Sequence, residues 1–308
     1  MRKKMFVIGI GGLTGSKLCL EAKNDYDIFG SYNLRDPEFS FVKSFKINVS
    51  DVEKIEDILT KIKPEIIVNT SGINNVDYCE KHPDEAKKIN VIVVKDLCRI
   101  AKKLNSKFIH LSSDSVFDGS KKQPYSEEDN PNPINYYGKT KLESEKIVLE
   151  NSKNVVVRAS VLYGYLSKNL AKLESSSKKP INFGQWLVNK LLAKEKVRII
   201  VDENSSPIIA DDFARSILHI IKKDGKGIYH SAPKESISRY DFSVKIAKAL
   251  NLTDGLIEPI TNKELGRNVE TGFNKCLESQ KLSKELNYRF LTLDESLKIL
   301  KTQFDNEN

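Results

Sequence analysis

The stretch VIGIGGLTG places Gly9, Gly12 and Gly15 between an apolar run and the start of a helical pattern opened by Leu13 and Thr14. Glycines at that spacing permit a tight strand-to-helix turn and let backbone N–H groups approach a diphosphate at the helix N-terminus. The pattern alone is common, but here it heads a long alternation of elements. Met5–Ile10 reads as a strand, Thr14–Lys23 as a helix and Asp27–Tyr32 as a second strand. Val52–Lys61 reads as a helix, EIIVNTSG as a buried strand and Pro83–Leu104 as one long helix. KFIHLSS and NVVVRAS supply further strands around a helix that begins near Tyr137. This order implies an α/β chain with a Rossmann-type, doubly wound parallel sheet.

The alternation loosens beyond residue 163. Residues 1–163 are expected to form the dinucleotide-binding domain. Residues 164–308 are expected to form a smaller, interleaved substrate-binding subdomain, with some segments returning to the main sheet. LSKNLAKLESSSKKP is polar and reads as a surface loop, the alternative being a helix with a frayed end. INFGQWLVNKLLAK, DDFARSILHIIKK and SRYDFSVKIAKAL read as helices, and VRIIVDENSSP as a strand followed by a turn.

The formal net charge of the 308-residue chain, +8, suits anionic ligands such as phosphorylated cofactors. Its basic residues are dispersed and form no nucleic-acid-binding module, so no nucleic-acid partner is expected. Four cysteines lie without CxxC or Cys/His ligand spacing, which argues against a metal site or a disulfide framework. A reducing, cytoplasmic setting is expected. The opening MRKKMFVIGIGG has too short an apolar run for a signal peptide, and no segment reaches membrane-spanning length.

The second strand ends near Tyr32 without the carboxylate that would bind a ribose 2′-hydroxyl; Asn33 and Arg35 follow instead. Arg35 suits a 2′-phosphate and points to NADP, with NAD still possible; an exposed loop arginine is the alternative. In NYYGKTK, Tyr137 and Lys141 stand four apart and share a helical face. An ammonium beside a phenol lowers its pKa from about 10, which would make Tyr137 a usable acid. The strand end HLSSDSVF offers Ser112 or Ser113 to a substrate carbonyl, the register being open between them. His82 and His110 have no aligned carboxylate or cysteine partner and read as structural.

Longer blocks carry a family resemblance. PEIIVNTSGINNVDYCEKHPDEAKKIN, FIHLSSDSVFDGSKKQPYSEEDNPNPINYYGKTKLESE, VVVRASVLYG and GIYHSAPKESISRYDFSVKIA resemble the dTDP-4-dehydrorhamnose reductase family, within the extended short-chain dehydrogenase/reductases. The resemblance implies a catalytic set of Ser113, Tyr137 and Lys141, with Asp114 beside the serine. It implies that Gly9, Gly12, Leu13, Thr14 and Gly15 hold the cofactor, and that Asn69, Thr70 and Ser71 lie along it. Asn90 falls on an asparagine that supports the active site, and it is also expected at the cofactor. Ser115, Asn182, Phe183 and Trp186 fall on the substrate side. The activity implied is NADPH-dependent reduction of a nucleotide-linked 4-keto-sugar, as in dTDP-rhamnose synthesis, with a homodimer as the possible assembly.

Two alternatives use the same residues. One is a nucleotide-sugar epimerase or dehydratase with tightly held NAD. The other is a non-catalytic NADP-binding subunit resembling the regulatory subunit of methionine adenosyltransferase. Ser115, the INN run at 73–75 and the SSPI turn depart from the family pattern where the substrate should sit. The reading of Arg35 has a direct test. Arg35→Ala is expected to weaken NADPH binding far more than NADH binding in a fluorescence titration, and equal losses would remove the 2′-phosphate assignment.

Overall fold

The computed structural model describes residues 2–173, 175, 182–266 and 269–306. Seven of its strands form one parallel sheet: β1 (Lys3–Ile8), β2 (Tyr26–Tyr32), β3 (Val42–Lys46), β4 (Ile66–Asn69), β5 (Lys107–Ser113), β6 (Val155–Ala159) and β7 (Gly227–His230). Their spatial order is β7-β6-β5-β4-β1-β2-β3, so the winding reverses between β1 and β4. In a doubly wound sheet that reversal opens a crevice at the carboxyl ends of the strands, where ligands bind. Every residue of β4 and β6 is buried, as strands covered on both faces require.

Helices cover both faces. On one side α1 (Leu13–Ala22) packs against a later helix, Ala210–Lys222, over Met5, Val7 and Val157. On the other lie α2 (Val52–Ile62) and α3 (Val93–Lys103), over Phe6, Ile67 and Phe108. α3 buries Val93, Val94, Leu97, Ile100 and Ala101, the stripe of an amphipathic helix. A separate apolar cluster is built by α5 (Phe183–Leu192), α7 (Arg239–Ala249) and α8 (Leu293–Asp305), with the paired strands Val197–Ile200 and Ile257–Ile260. Between them in sequence, α6 (Ala210–Lys222) and β7 return to the main sheet. The helix carrying Tyr137 is α4 (Tyr136–Leu149).

Two expectations need correction. Pro83–Leu104 is not one helix: Pro83–Lys87 and α3 are separated by a π-helical turn at Lys88–Ile92. The wider turn accompanies the burial of Asn90, whose side chain is engaged on the inner face. In LSKNLAKLESSSKKP, read first as a polar loop with a frayed helix as the alternative, Lys168–Lys172 is helical; residues 174 and 176–180 of it lie outside the described residues. β3, β7 and α8 were not read from the sequence at all.

One ion pair ties α4 to the sheet. Arg158 of β6 donates from Nε and Nη2 to the two oxygens of Glu145, at 2.9 and 2.7 Å, with both side chains at most 2% exposed. His230 of β7 completes the group. Its Nδ1 lies 3.1 Å from the carbonyls of Tyr125 and Glu278, so it carries the proton, leaving Nε2 to accept from Arg158 Nη1 at 3.3 Å. Burial, with the nearby guanidinium, pushes the imidazole pKa down to about 3 and keeps it neutral. Removing one partner of such a pair strands a buried charge, at about 3–5 kcal/mol. Arg158→Met or Glu145→Leu alone is expected to lose that much in urea denaturation, and the double variant to lose markedly less.

Candidate active site

A cavity of about 1150 Å³ follows the crevice at the β1/β4 reversal. Its inner end is the glycine turn. The chain leaves β1 through Gly9 at φ +93°, and a Cβ on Gly15 would stand 2.2 Å from the Gly9 carbonyl oxygen. Only glycine lets α1 seat against this turn. No side chain caps the start of α1, so its first-turn N–H groups are available to an anionic oxygen. Gly9, Gly12, Leu13, Thr14 and Gly15 all line the cavity, and this floor fits the diphosphate of a dinucleotide.

Thr70 and Ser71 line the next section. Thr70 Oγ1 donates to the Ile8 carbonyl at 2.8 Å and to that of Gly9 at 3.2 Å, joining β4 to the turn. Arg35 stands in the cavity wall, where Nε and Nη2 both donate to the Leu173 carbonyl, the former at 3.0 Å. Asn69 and Asn90, assigned to the cofactor, do not line the cavity. Asn69 Oδ1 accepts from Ser71 N and Oγ at 3.1 and 2.6 Å. Asn90 holds the Ile73 backbone, accepting from its N–H at 2.9 Å and donating to its carbonyl at 3.0 Å. It also donates to Thr140 Oγ1 at 3.1 Å, and Thr140 donates to the Tyr137 carbonyl at 2.7 Å. Both asparagines brace the walls.

The reaction centre forms where β5 ends against the start of α4. Asn135 caps α4, its Oδ1 accepting from Gly138 N at 2.9 Å. A Cβ on Gly138 would lie 2.0 Å from the Ser115 carbonyl oxygen, so this glycine sets how closely α4 meets the loop after β5. Tyr137, Ser112 and Ser113 all line the cavity, and of the two serines it is Ser113 whose hydroxyl acts on the phenol, favouring its ionised form. The Ser113 hydroxyl donates to Asp114 Oδ1 at 2.8 Å, while Asp114 Oδ2 accepts from Ser160 Oγ at 2.8 Å. Ser115 Oγ also reaches Asp114 Oδ1, at 3.2 Å.

Lys141 does not do what its spacing suggested. Burial raises the Tyr137 pKa above its ordinary value; the Ser113 hydroxyl opposes this, and Asp114 and Cys79 add to it. The ammonium of Lys141 instead donates to the Leu111 carbonyl at 2.5 Å and lies 3.2 Å from His110 Nε2. The tautomer of His110 follows from its neighbours. Ser71 fixes Asn69 Oδ1 as an acceptor, so Asn69 Nδ2 donates to His110 Nδ1, 3.3 Å away. Burial keeps the ring neutral, and its proton sits on Nε2, directed to Ser144 Oγ at 3.1 Å. The ring thus offers Lys141 no lone pair, and among the described residues the Leu111 carbonyl is its only acceptor. Burial accordingly pushes the Lys141 pKa down to about 8.

At the outer end Asn182 caps α5, accepting from Gln185 N at 3.2 Å, and lines the cavity together with Phe183 and Ser115. Trp186 does not line it; its ring packs behind Phe183, with centroids 5.8 Å apart, against the second apolar cluster. Three charged residues absent from the sequence reading line this end: Glu203, Arg239 and Lys275. They come from remote segments, and no local motif marks them. No group of three or more His, Cys, Asp or Glu side chains placed to hold a metal occurs among the described residues.

Residues 3–305 match the RmlD substrate binding domain. The chain belongs to that family. It is 28% identical over 303 residues to the probable low-salt glycan biosynthesis reductase Agl14 of Haloferax volcanii, covering 98% of each chain. It is 30% identical over 279 residues to methionine adenosyltransferase 2 subunit beta of Bos taurus, covering 84% of this chain and 76% of that one. The fold matches dTDP-4-dehydrorhamnose reductase from Bacillus anthracis, solved in complex with NADP, at a TM-score of 0.84 and 24% identity, covering 98% and 100% of the two chains. Among the described residues, no helix of this RmlD-family chain is long and apolar enough to cross a membrane.

The buried lysine has a pH signature. Its pKa falls from 10.5 to about 8 on folding, so between those values the unfolded chain binds the extra proton and stability rises with pH. Below about 8 the folded protein bears the full cost of the buried ammonium. Lys141→Met is expected to melt above the native protein at pH 7, with the gap narrowing from about pH 8 to pH 10. A gap independent of pH, followed by calorimetry, would contradict this account of Lys141.

Proposed function

We propose that this protein is an NADPH-dependent reductase acting on a ketone of a nucleotide-linked sugar, with a dTDP-4-dehydrorhamnose-like 4-keto-hexose as the leading substrate. The product would be dTDP-rhamnose or a related nucleotide sugar, a precursor of polysaccharide. One observation carries the reading: Ser113 and Tyr137 line one cavity whose other end is an uncapped glycine turn, and the serine hydroxyl acts on the phenol. The dinucleotide, when bound, supplies hydride to the ketone carbon.

The chain's own residues handle the oxygen. Tyr137 is the acid, and its raised pKa suits that role because it keeps the proton in place at neutral pH. An alkoxide is a far stronger base than a phenolate, so transfer from Tyr137 runs downhill as the carbonyl is reduced. Ser113 turns its hydroxyl from Asp114 to the same oxygen and stabilises the charge that develops there. Lys141 is assigned the cofactor ribose and the phenolate left behind, which requires its ammonium to leave the Leu111 carbonyl. Arg35 reads the 2′-phosphate. Four free cysteines, three of them buried, fit a cytoplasmic setting.

Similarity to methionine adenosyltransferase 2 subunit beta favours one second reading, an NADP-binding regulator that turns nothing over. Steady-state NADPH oxidation with dTDP-4-dehydrorhamnose and other nucleotide-linked 4-keto-sugars separates the two. Native protein is expected to consume NADPH, and Tyr137→Phe to lose about 10²–10⁴-fold in kcat with NADPH affinity little changed. A near-native rate in Tyr137→Phe would remove the phenol from the reaction. No oxidation on any such sugar would favour the regulator.

A further inference from the structure

The outer end of the cavity holds a charged cluster that the proton transfer does not use. Glu203 is 1% exposed, yet two cations converge on it: Arg239 Nη2 lies 3.2 Å from Oε1, and Lys275 Nζ 3.3 Å from Oε2. Thr271 Oγ1 donates to Oε2 at 3.0 Å. The Phe183 ring supports the guanidinium, its centroid 4.6 Å from Arg239 Cζ. All five side chains line the same cavity as Tyr137.

Sequence separation makes this a built arrangement. Arg239 is the first residue of α7, and its backbone N–H donates to the Glu203 carbonyl at 3.1 Å. Lys275 belongs to a short strand, Asn274–Lys275, paired in parallel with Asn204–Ser205, which immediately follows Glu203. A buried carboxylate shared by two cations fixes their positions while cancelling only one of their charges. Within the group of Glu203, Arg239 and Lys275 one net positive charge is left, facing the cavity they line. Arg239 also has N–H donors beyond the one spent on Glu203, in a planar fork that matches phosphate oxygens.

We propose that Arg239 and Lys275, held by Glu203, form the subsite for the diphosphate that joins the sugar to its nucleoside. The proposal rests on the nucleotide-sugar reading given above. The cluster adjoins the reaction centre: Ser160 Oγ donates to Asp114 Oδ2 at 2.8 Å and to the Lys275 carbonyl at 2.9 Å. A sugar placed with its ketone at Tyr137 therefore has a cationic wall beside it for the group at its anomeric end. The Phe183 face stiffens the arginine.

Titration calorimetry with UDP, dTDP and inorganic pyrophosphate tests the subsite without turnover. Native protein is expected to bind all three, more weakly as salt rises. Arg239→Met and Lys275→Met should each weaken them by roughly tenfold or more and flatten the salt dependence. NADPH affinity, read by fluorescence, should stay within about twofold of native, since the glycine turn lies at the other end. Glu203→Gln, which removes the competing carboxylate, should tighten diphosphate binding. Should Arg239→Met fail to fold, Lys275→Met and Arg239→Lys carry the test, the latter keeping the charge but losing the fork. Undiminished UDP and dTDP affinity in the cation variants, or a loss in Glu203→Gln as large as theirs, overturns the proposal. The expected shifts in a protein that reduces no keto-sugar uphold the subsite and sink the reductase reading. Keto-sugar reduction with native KM in both cation variants does the reverse.

Discussion

The pairing of Arg158 with Glu145 is the constraint on which the site depends. Two hydrogen bonds between side chains almost wholly removed from water join β6 to the middle of α4. α4 begins with the residues that bear the chemistry, and β5, the neighbour of β6, ends with Ser113. Ser112 and Ser113 pair in register with Arg158 and Ala159. The strand that delivers Ser113 is thus locked beside the strand that anchors the helix of Tyr137. A buried ion pair is seldom the most stabilising way to fill a core, but it tolerates little sliding, because both charges must stay covered. His230 and the Phe117 ring, 5.1 Å from the guanidinium, extend that cover to β7 and to the loop beyond Ser113.

Around this anchor the cavity has two kinds of wall. The inner wall is the sheet edge with its glycine turn, where backbone N–H groups and steric closeness do the work. The outer wall is assembled from α5, α7 and short strands, where side-chain charge dominates. Of the departures from the family pattern, Ser115 and residues 73–75 line the cavity, whereas no residue of the SSPI turn does. The inner wall answers to a cofactor of fixed shape, the outer wall to whatever is reduced.

Much of the inner wall was legible in the sequence, since its signals are local. β5 was bounded correctly by KFIHLSS, and the glycine turn by its spacing; the start of α4 was read near Tyr137 from NYYGKTK, one residue from where it falls. What escaped depends on long-range partners. The direction of Lys141 is decided by the Leu111 carbonyl and the tautomer of His110, neither of which a four-residue spacing encodes. The π-helical turn at Lys88–Ile92 is invisible to a 3.6-residue period because the apolar pattern resumes beyond it. For Asn90 the supporting role, and not the cofactor contact, matches its bonds, and its partners Ile73 and Thr140 are known only once the chain is folded. Glu203, Arg239 and Lys275 stood in three segments with no shared motif. Trp186 reads from the sequence as core sooner than stacking platform, and it packs behind Phe183 against the second apolar cluster; its place on the substrate side came only from the family match at Asn182–Phe183.

The contact at Gly138 bears on how finely the site is tuned. Main-chain atoms of α4 and of the loop after Ser113 rest against each other there with no room for a methyl group. The approach of the two backbones that carry the tyrosine and the serine is therefore a dimension of the polypeptide skeleton. Evolution can repaint the far wall for a new sugar without retouching that gauge, whereas one added carbon at this glycine would spread the jaws and leave every chemical group intact but out of reach.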